Sequence, residues 1–177
     1  MFRNITGSPR RGPRLLTLAC ILLSLACIRT SSYADGYTGP ALAGWYDEGT
    51  CYAPIHIGLI FYAGTAEDFV GGFQTVVAGA NSVGGDFKGV CQLTAAGGNH
   101  VSGDFYGLGQ VALGANIVDG RFTGAFQFGI VNIADEVRGL QIGIVNKATI
   151  LRGVQLGIVN LVSDNALPFC PVLNVGW

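Results

Sequence analysis

The most regularly spaced polar side chains of this chain are carboxamides. Gln and Asn each recur at steps that shorten toward the C-terminus, and the members are Gln74, Gln92, Gln110, Gln127, Gln141 and Gln155, with Asn81, Asn99, Asn116, Asn132, Asn146 and Asn160. A carboxamide donates and accepts hydrogen bonds but is neither an acid nor a nucleophile at ordinary pH. We interpret the Gln residues as a structural hydrogen-bonded ladder, with a carbohydrate- or partner-binding strip as the alternative. The Asn residues are expected at corners, because Asn tolerates left-handed backbone.

Residues that could perform acid–base or metal chemistry form no recognisable group. His56 and His100 are the only histidines, and no Ser-His-Asp, Cys-His or His-x-x-x-His spacing accompanies them. Asp86 and Asp104 follow glycines in a repeated Gly-Asp-Phe motif, but calcium-binding repeats carry a denser acidic pattern, so capping of a turn is the preferred interpretation. The sequence therefore predicts a protein that is not an enzyme, with no catalytic residues, no cofactor and no metal.

The beginning of the chain, at positions 1–34, has the pattern of an export signal. Arg10, Arg11 and Arg14 precede an apolar run at residues 15–28, and Ala34 ends a stretch of small residues that predicts cleavage before Asp35. Five basic and eleven acidic residues remain after such cleavage, a net charge near −6, which excludes a nucleic-acid partner. The remaining thiols, Cys51, Cys91 and Cys170, permit a disulfide outside the cytosol, but the sequence does not select the pair.

Each repeat reads as a short β-strand with two unlike faces. Leu140, Ile142 and Ile144 point one way and Gln141 the other, so we expect copies to stack and bury their apolar faces. His56 lies one repeat step before Gln74, where a degenerate first repeat would place a Gln. The expected organisation is a signal peptide at 1–34, an irregular N-terminal segment with a degenerate first repeat at 35–68, tandem β-repeats at 69–162 and a C-terminal cap at 163–177.

Two all-β architectures can stack such repeats. A β-solenoid relates successive copies by translation, whereas a small eight-stranded antiparallel β-barrel or meander reverses the strand direction at every turn. Identical repeats in a meander accumulate no stagger, and a closed barrel needs stagger with strands tilted by about 35–45°. The regular spacing therefore favours the solenoid, and the barrel or meander stays as the alternative.

The most similar copies within the chain resemble a known bacterial repeat. The segments at 139–146 and 153–160, Gly-Leu/Val-Gln-Ile/Leu-Gly-Ile-Val-Asn, are similar to the tandem surface repeat of bacterial exported proteins, including leptospiral surface lipoproteins. The Pro- and Asn-containing ending at 171–177 resembles the tail that closes those arrays. The resemblance covers residues 124–177 best and implies a bacterial envelope or surface location, without known catalytic residues.

The function expected from these features is structural. The sequence predicts a non-enzymatic exported protein of the bacterial cell envelope, outer membrane or cell surface that serves in adhesion or as a scaffold. Its partner would be an unknown protein or glycan at the cell surface, and membrane association stays open. The alternative is a small outer-membrane β-barrel protein.

Overall fold

The computed structural model describes residues 41–42, 44–165 and 167–177, so the predicted signal peptide lies outside the described residues. In these segments every regular element is a β-strand. The strands are β1 (Ala41–Leu42), β2 (Trp45–Asp47), β3 (Thr50–Thr65), β4 (Phe69–Val83), β5 (Phe87–Lys88), β6 (Cys91–Val101), β7 (Phe105–Tyr106), β8 (Gly109–Ala112), β9 (Ala115–Phe128), β10 (Val131–Ile142), β11 (Val145–Val162) and β12 (Phe169–Gly176).

Successive repeats pair in parallel, one coil directly above the next. Gln74 pairs with Gln92, Gln92 with Gln110, and Gln127 with Gln141, so the translational register follows the repeat. The chain forms a β-solenoid of about six turns. The solenoid prediction is confirmed, and the antiparallel barrel or meander is wrong, because strand direction does not reverse between repeats.

Glycine bends the long strands at the corners of the coils. Gly79, Gly97 and Gly139 have φ angles of +132°, +130° and +150°, a backbone region that residues with a Cβ rarely adopt. A Cβ on Gly97 would also collide with the carbonyl of Gly79 in the coil below. The corners are therefore set by Gly, and the expectation that Asn occupies them in left-handed conformation is wrong.

The interior of the coil holds the polar face of each repeat. Gln141 is fully buried, whereas Ile144 on the opposite face is 48% exposed. Gly143 explains this orientation, because it packs against the Asn132 and Asn146 side chains, where a Cβ would not fit. The expectation that stacking hides the apolar face from water is therefore wrong: the stack buries the Gln and Gly positions, and the strand alternation turns the aliphatic residues outward.

Antiparallel strands cover both ends of the stack. At the N-terminal end β1 and β2 pair with β3, which is itself in parallel register with β4, so the degenerate first repeat forms a coil. At the other end β12 pairs antiparallel with β11. An antiparallel strand cannot continue a translational repeat, and both ends therefore stop the stack and cover an edge that could otherwise pair with further strands.

Candidate functional site

The Gln column runs through the core as one continuous hydrogen-bonded ladder. Each Nε2 donates to the Oε1 of the Gln in the preceding coil, over 2.7 Å for Gln92 to Gln74 and 2.8 Å for Gln155 to Gln141. The bonds between them, from Gln110, Gln127 and Gln141, measure 2.5, 2.7 and 2.7 Å. All six side chains are fully buried. A partner-binding strip would need exposed amides, so this alternative for the Gln column is wrong.

The Asn column forms a second ladder beside the first. Each Nδ2 donates to the Oδ1 of the Asn in the following coil over 2.8–2.9 Å, from Asn81 through Asn99, Asn116, Asn132 and Asn146 to Asn160. The same nitrogens also donate to backbone carbonyls, for example Asn132 to Ile142 over 2.9 Å. These residues are buried, with at most 1% exposed. Both hydrogens of the Asn amide are therefore used, and the backbone carbonyl fixes which end of the amide carries the nitrogen.

The two ladders have opposite polarity. Hydrogen bonds of the Gln column point toward the N-terminal end of the solenoid, and those of the Asn column point toward the C-terminal end. Aligned amide dipoles in one column would sum along the axis, as peptide dipoles do in a helix. Because the two columns point in opposite directions, the summed dipole of the Gln column opposes that of the Asn column. Each column consequently ends in a carbonyl oxygen without a described partner, Asn81 Oδ1 at one end and Gln155 Oε1 at the other.

An imidazole takes the place of Gln in the first coil. His56 pairs in register with Gln74, is fully buried, and receives a contact from Gln74 Nε2 at its Nδ1 over 3.3 Å. Its Nε2 lies 3.1 Å from the hydroxyl of Tyr46 in β2. Gln74 offers a donor to Nδ1, so the Gln ladder begins at the imidazole of His56.

The C-terminal end of the Gln column faces an asparagine. Asn174 of β12 pairs in register with Gln155 and is 5% exposed. Asn174 Nδ2 and Gln155 Oε1 both lack a partner among the described atoms, and one is a donor and the other an acceptor. The cap thus presents a further carboxamide to the last rung, in place of an apolar side chain.

Aromatic rings form a third interior column. Phe69, Phe87, Phe105 and Phe122 are fully buried and stack with centroids 4.9, 4.7 and 5.0 Å apart. The two Gly-Asp-Phe motifs supply the middle pair, Phe87 and Phe105. The Asp of this motif accepts a hydrogen bond from the backbone of the next coil, as Asp86 Oδ1 does from Asp104 N over 2.9 Å. Its Gly leaves room for this carboxylate, because a Cβ on Gly103 would collide with Asp86 Oδ1. Asp86 and Asp104 therefore cap the turns between coils.

Charged side chains gather at the same corner of the stack, outside the aromatic column. Lys88 Nζ bridges Asp68 and Asp86 over 3.0 and 3.2 Å. Farther along the stack, the Glu136 carboxylate accepts hydrogen bonds from Nε of Arg121 and of Arg138 over 2.8 Å each. Nε of Arg152 lies 3.1 Å from Glu136 Oε1. Hydrogen bonds from Arg121 and then Arg138 hold the pKa of Glu136 below its usual value. We call this surface, from Asp68 to Arg152, the charged side.

A second outer surface is largely apolar along its length. Strand alternation turns outward residues that flank each Gln, and we call these residues the apolar face: Ile55, Ile57, Phe73, Thr75, Leu93, Val111, Phe126, Phe128, Leu140, Ile142, Val154 and Leu156, completed by Leu173 and Val175 of β12. Cys91 and Gly109 also flank a Gln but are buried. The apolar face carries no charged residue. Ile130, Ile144 and Ile158 extend it at the adjoining corner and are 51%, 48% and 68% exposed.

The thiols and histidines do not meet to form a reactive site in the described part of the chain. Cys51, Cys91 and Cys170 are free. Burial raises the pKa of Cys51 to about 11, against a hydrogen bond from Tyr46 that lowers it, and burial also raises the pKa of Cys91. Both are protonated at neutral pH and therefore poor nucleophiles. His100 lies on the surface of the coil, where its Nε2 is 3.0 Å from Asp119 Oδ2.

The described residues contain no group of three or more His, Cys, Asp or Glu side chains placed to hold a metal ion. Over the same described ranges, no helix is long and apolar enough to cross a bilayer. No protein-family model, no curated protein and no solved structure matches this chain.

Proposed function

We propose that this protein is a non-enzymatic component of the bacterial cell envelope, exported by the signal at positions 1–34, that acts as a rigid scaffold or partner-binding element. One observation carries the proposal. All twelve repeated carboxamides lie in the core and bond to one another, so the repeat provides rigidity and leaves none of its regular polar groups for chemistry.

The surface of the coil supports a role in contact with other molecules. The charged side and the apolar face lie on different surfaces of one stack, and both run along its length. Stacked repeats present long, regular surfaces of this kind to partners, and the rest of the coil holds them in place. A surface protein or glycan and an envelope scaffold both fit such a surface.

Export is the testable part. The chain is produced in a bacterium with a C-terminal tag, and the N-terminus of the product is read by mass spectrometry after cell fractionation. We expect a mature protein that begins at Asp35 in the envelope fraction, with tag accessibility on intact cells separating a surface from an interior location. The matched control is Leu22→Arg, which interrupts the apolar run at 15–28 and should leave the uncleaved chain in the cytosol.

An uncleaved wild-type chain in the cytosol would overturn the proposal. A wild-type chain and a Leu22→Arg chain with the same location would overturn it as well, because export would then not depend on the apolar run.

A further inference from the structure

The apolar face has a shape and chemistry that select one kind of occupant. Its outward side chains come from eight strands, β3, β4, β6, β8, β9, β10, β11 and β12, with no charged residue among them. Phe73, Phe128, Leu156 and Leu173 are 39%, 47%, 38% and 50% exposed. Contiguous exposed apolar patches of several hundred Å² mark contact surfaces. A sheet face of this type is usually covered by another layer about 10 Å away.

We propose that the apolar face is the interface of a homodimer, in which two copies of this chain pack face to face. Neighbouring strands lie about 4.8 Å apart, so the rows of side chains on this face repeat at that spacing. A second copy has the same spacing, and its rows fit between those of the first along the entire length, as the sheets of a steric zipper do. A lipid surface has no such periodic match.

The area is sufficient for a specific contact. Eight strands span about 34 Å, and four to five residues across the face span about 15 Å, which gives roughly 500 Å² per copy. Two copies together bury about 1,000 Å², the lower limit for a specific interface, so we expect a dimer that dissociates on dilution. The face is uncharged, so two copies can approach without repulsion between like charges, and a two-fold axis closes the assembly at two.

The test is the mass of the protein recovered from bacteria, measured by sedimentation from low to about 100 µM concentration. We expect a dimer that is promoted by concentration. Leu156→Glu buries a charge in the interface and should weaken dimerisation by at least about 30-fold. The matched control is Ile150→Glu. Ile150 lies in the same strand at the charged side and is 36% exposed, against 38% for Leu156, and this variant should dimerise normally.

A second variant and a folding measurement control for misfolding. Phe128→Glu changes the same face from β9, and circular dichroism with thermal melting shows whether each variant retains the wild-type fold. A folded Phe128→Glu or Leu156→Glu protein that still dimerises as the wild type does would overturn the proposal. A monomeric wild type would overturn it too, and binding of that monomer to phosphatidylcholine vesicles would assign the face to lipid.

Dimerisation through the apolar face does not depend on export. The dimer is read as a mass and the proposed function as a location and a processed N-terminus, so either can fail alone.

Discussion

Gln74 donates from Nε2 to Nδ1 of His56 over 3.3 Å, and this contact joins the Gln ladder to an imidazole. Every later coil has Gln at this position, so the first coil differs from the others by an imidazole. The hydroxyl of Tyr46 lies 3.1 Å from His56 Nε2 and links this end of the ladder to β2.

Loss of the imidazole at position 56 should destabilise the fold. Gln74 Nε2 lies 3.3 Å from His56 Nδ1 in the buried core, and an amide donor that loses a buried acceptor costs about 1–3 kcal/mol. His56→Leu should therefore lower the free energy of unfolding by about this amount.

The measurement is the free energy of unfolding in urea at about pH 7. His56→Gln continues the ladder by one rung and should keep most of the stability that His56→Leu loses. His100→Leu, which changes the surface histidine beside Asp119, should stay close to the wild type. Equal losses in His56→Leu and His56→Gln would contradict this account of the first coil.

Interruption of the Gln ladder in its middle should cost more than interruption at its end. Gln110→Leu removes the donor to Gln92 Oε1 and the acceptor of Gln127 Nε2, and two buried orphan groups cost about 2–6 kcal/mol. Within the ladder, Gln155→Leu orphans Gln141 Oε1 alone, because Gln155 Oε1 has no described partner, and the long 3.4 Å bond to the Leu161 carbonyl adds little, so this variant should cost about 1–3 kcal/mol.

Urea unfolding of the two variants under identical conditions measures this difference. Both substitutions remove the same carboxamide from a fully buried site, so the comparison isolates the number of broken ladder bonds. Equal losses of stability at the two positions would show that the ladder bonds do not govern the cost.

The aromatic column should contribute strongly to stability at its centre. Phe87 stacks between Phe69 and Phe105 and is fully buried. Phe87→Ala should lower the free energy of unfolding by about 3–5 kcal/mol through lost burial and the cavity left behind. Phe128→Ala changes the same residue type at 47% exposure and, in dilute monomeric protein, should cost less than about 1 kcal/mol. Similar costs for the two would argue against a core centred on this column.

Glu136 should make stability depend on acid. Arg121 and Arg138 depress its pKa in the folded state, so its stabilising effect is present above the ordinary carboxyl pKa of about 4.5 and is lost as pH falls below it. Glu136→Gln should therefore flatten the fall in melting temperature between about pH 5 and pH 3. The control, Glu67→Gln in an exposed turn, should retain the wild-type slope, and an unchanged slope in Glu136→Gln would refute the role of the arginines.

The translational stack follows from particular residues. The Gln at positions 127, 141 and 155 keep one step, and equal steps with one residue type favour copies that superimpose by translation. The placement of the Asn is different. Asn132 lies an odd number of positions after Gln127, and an odd step along a flat strand would put the two side chains on opposite faces. A corner between them brings both into the core, and alternation along the sequence cannot show where a corner falls.

The amino-acid sequence alone favoured a parallel stack over an antiparallel one and placed Asp86 and Asp104 at turns, because spacing and residue type carry that information; the structure decided between the two stacks. Tertiary structure decided which face is the inside. Alternation defines two faces, one of Gln141 and Gly143 and one of Leu140 and Ile142. By alternation alone, either face could line the inside of a coil. A coil this short leaves little room inside, and at Gly143 the packed Asn amides admit no Cβ. The carboxamides satisfy one another there, and the aliphatic residues are left on the surface.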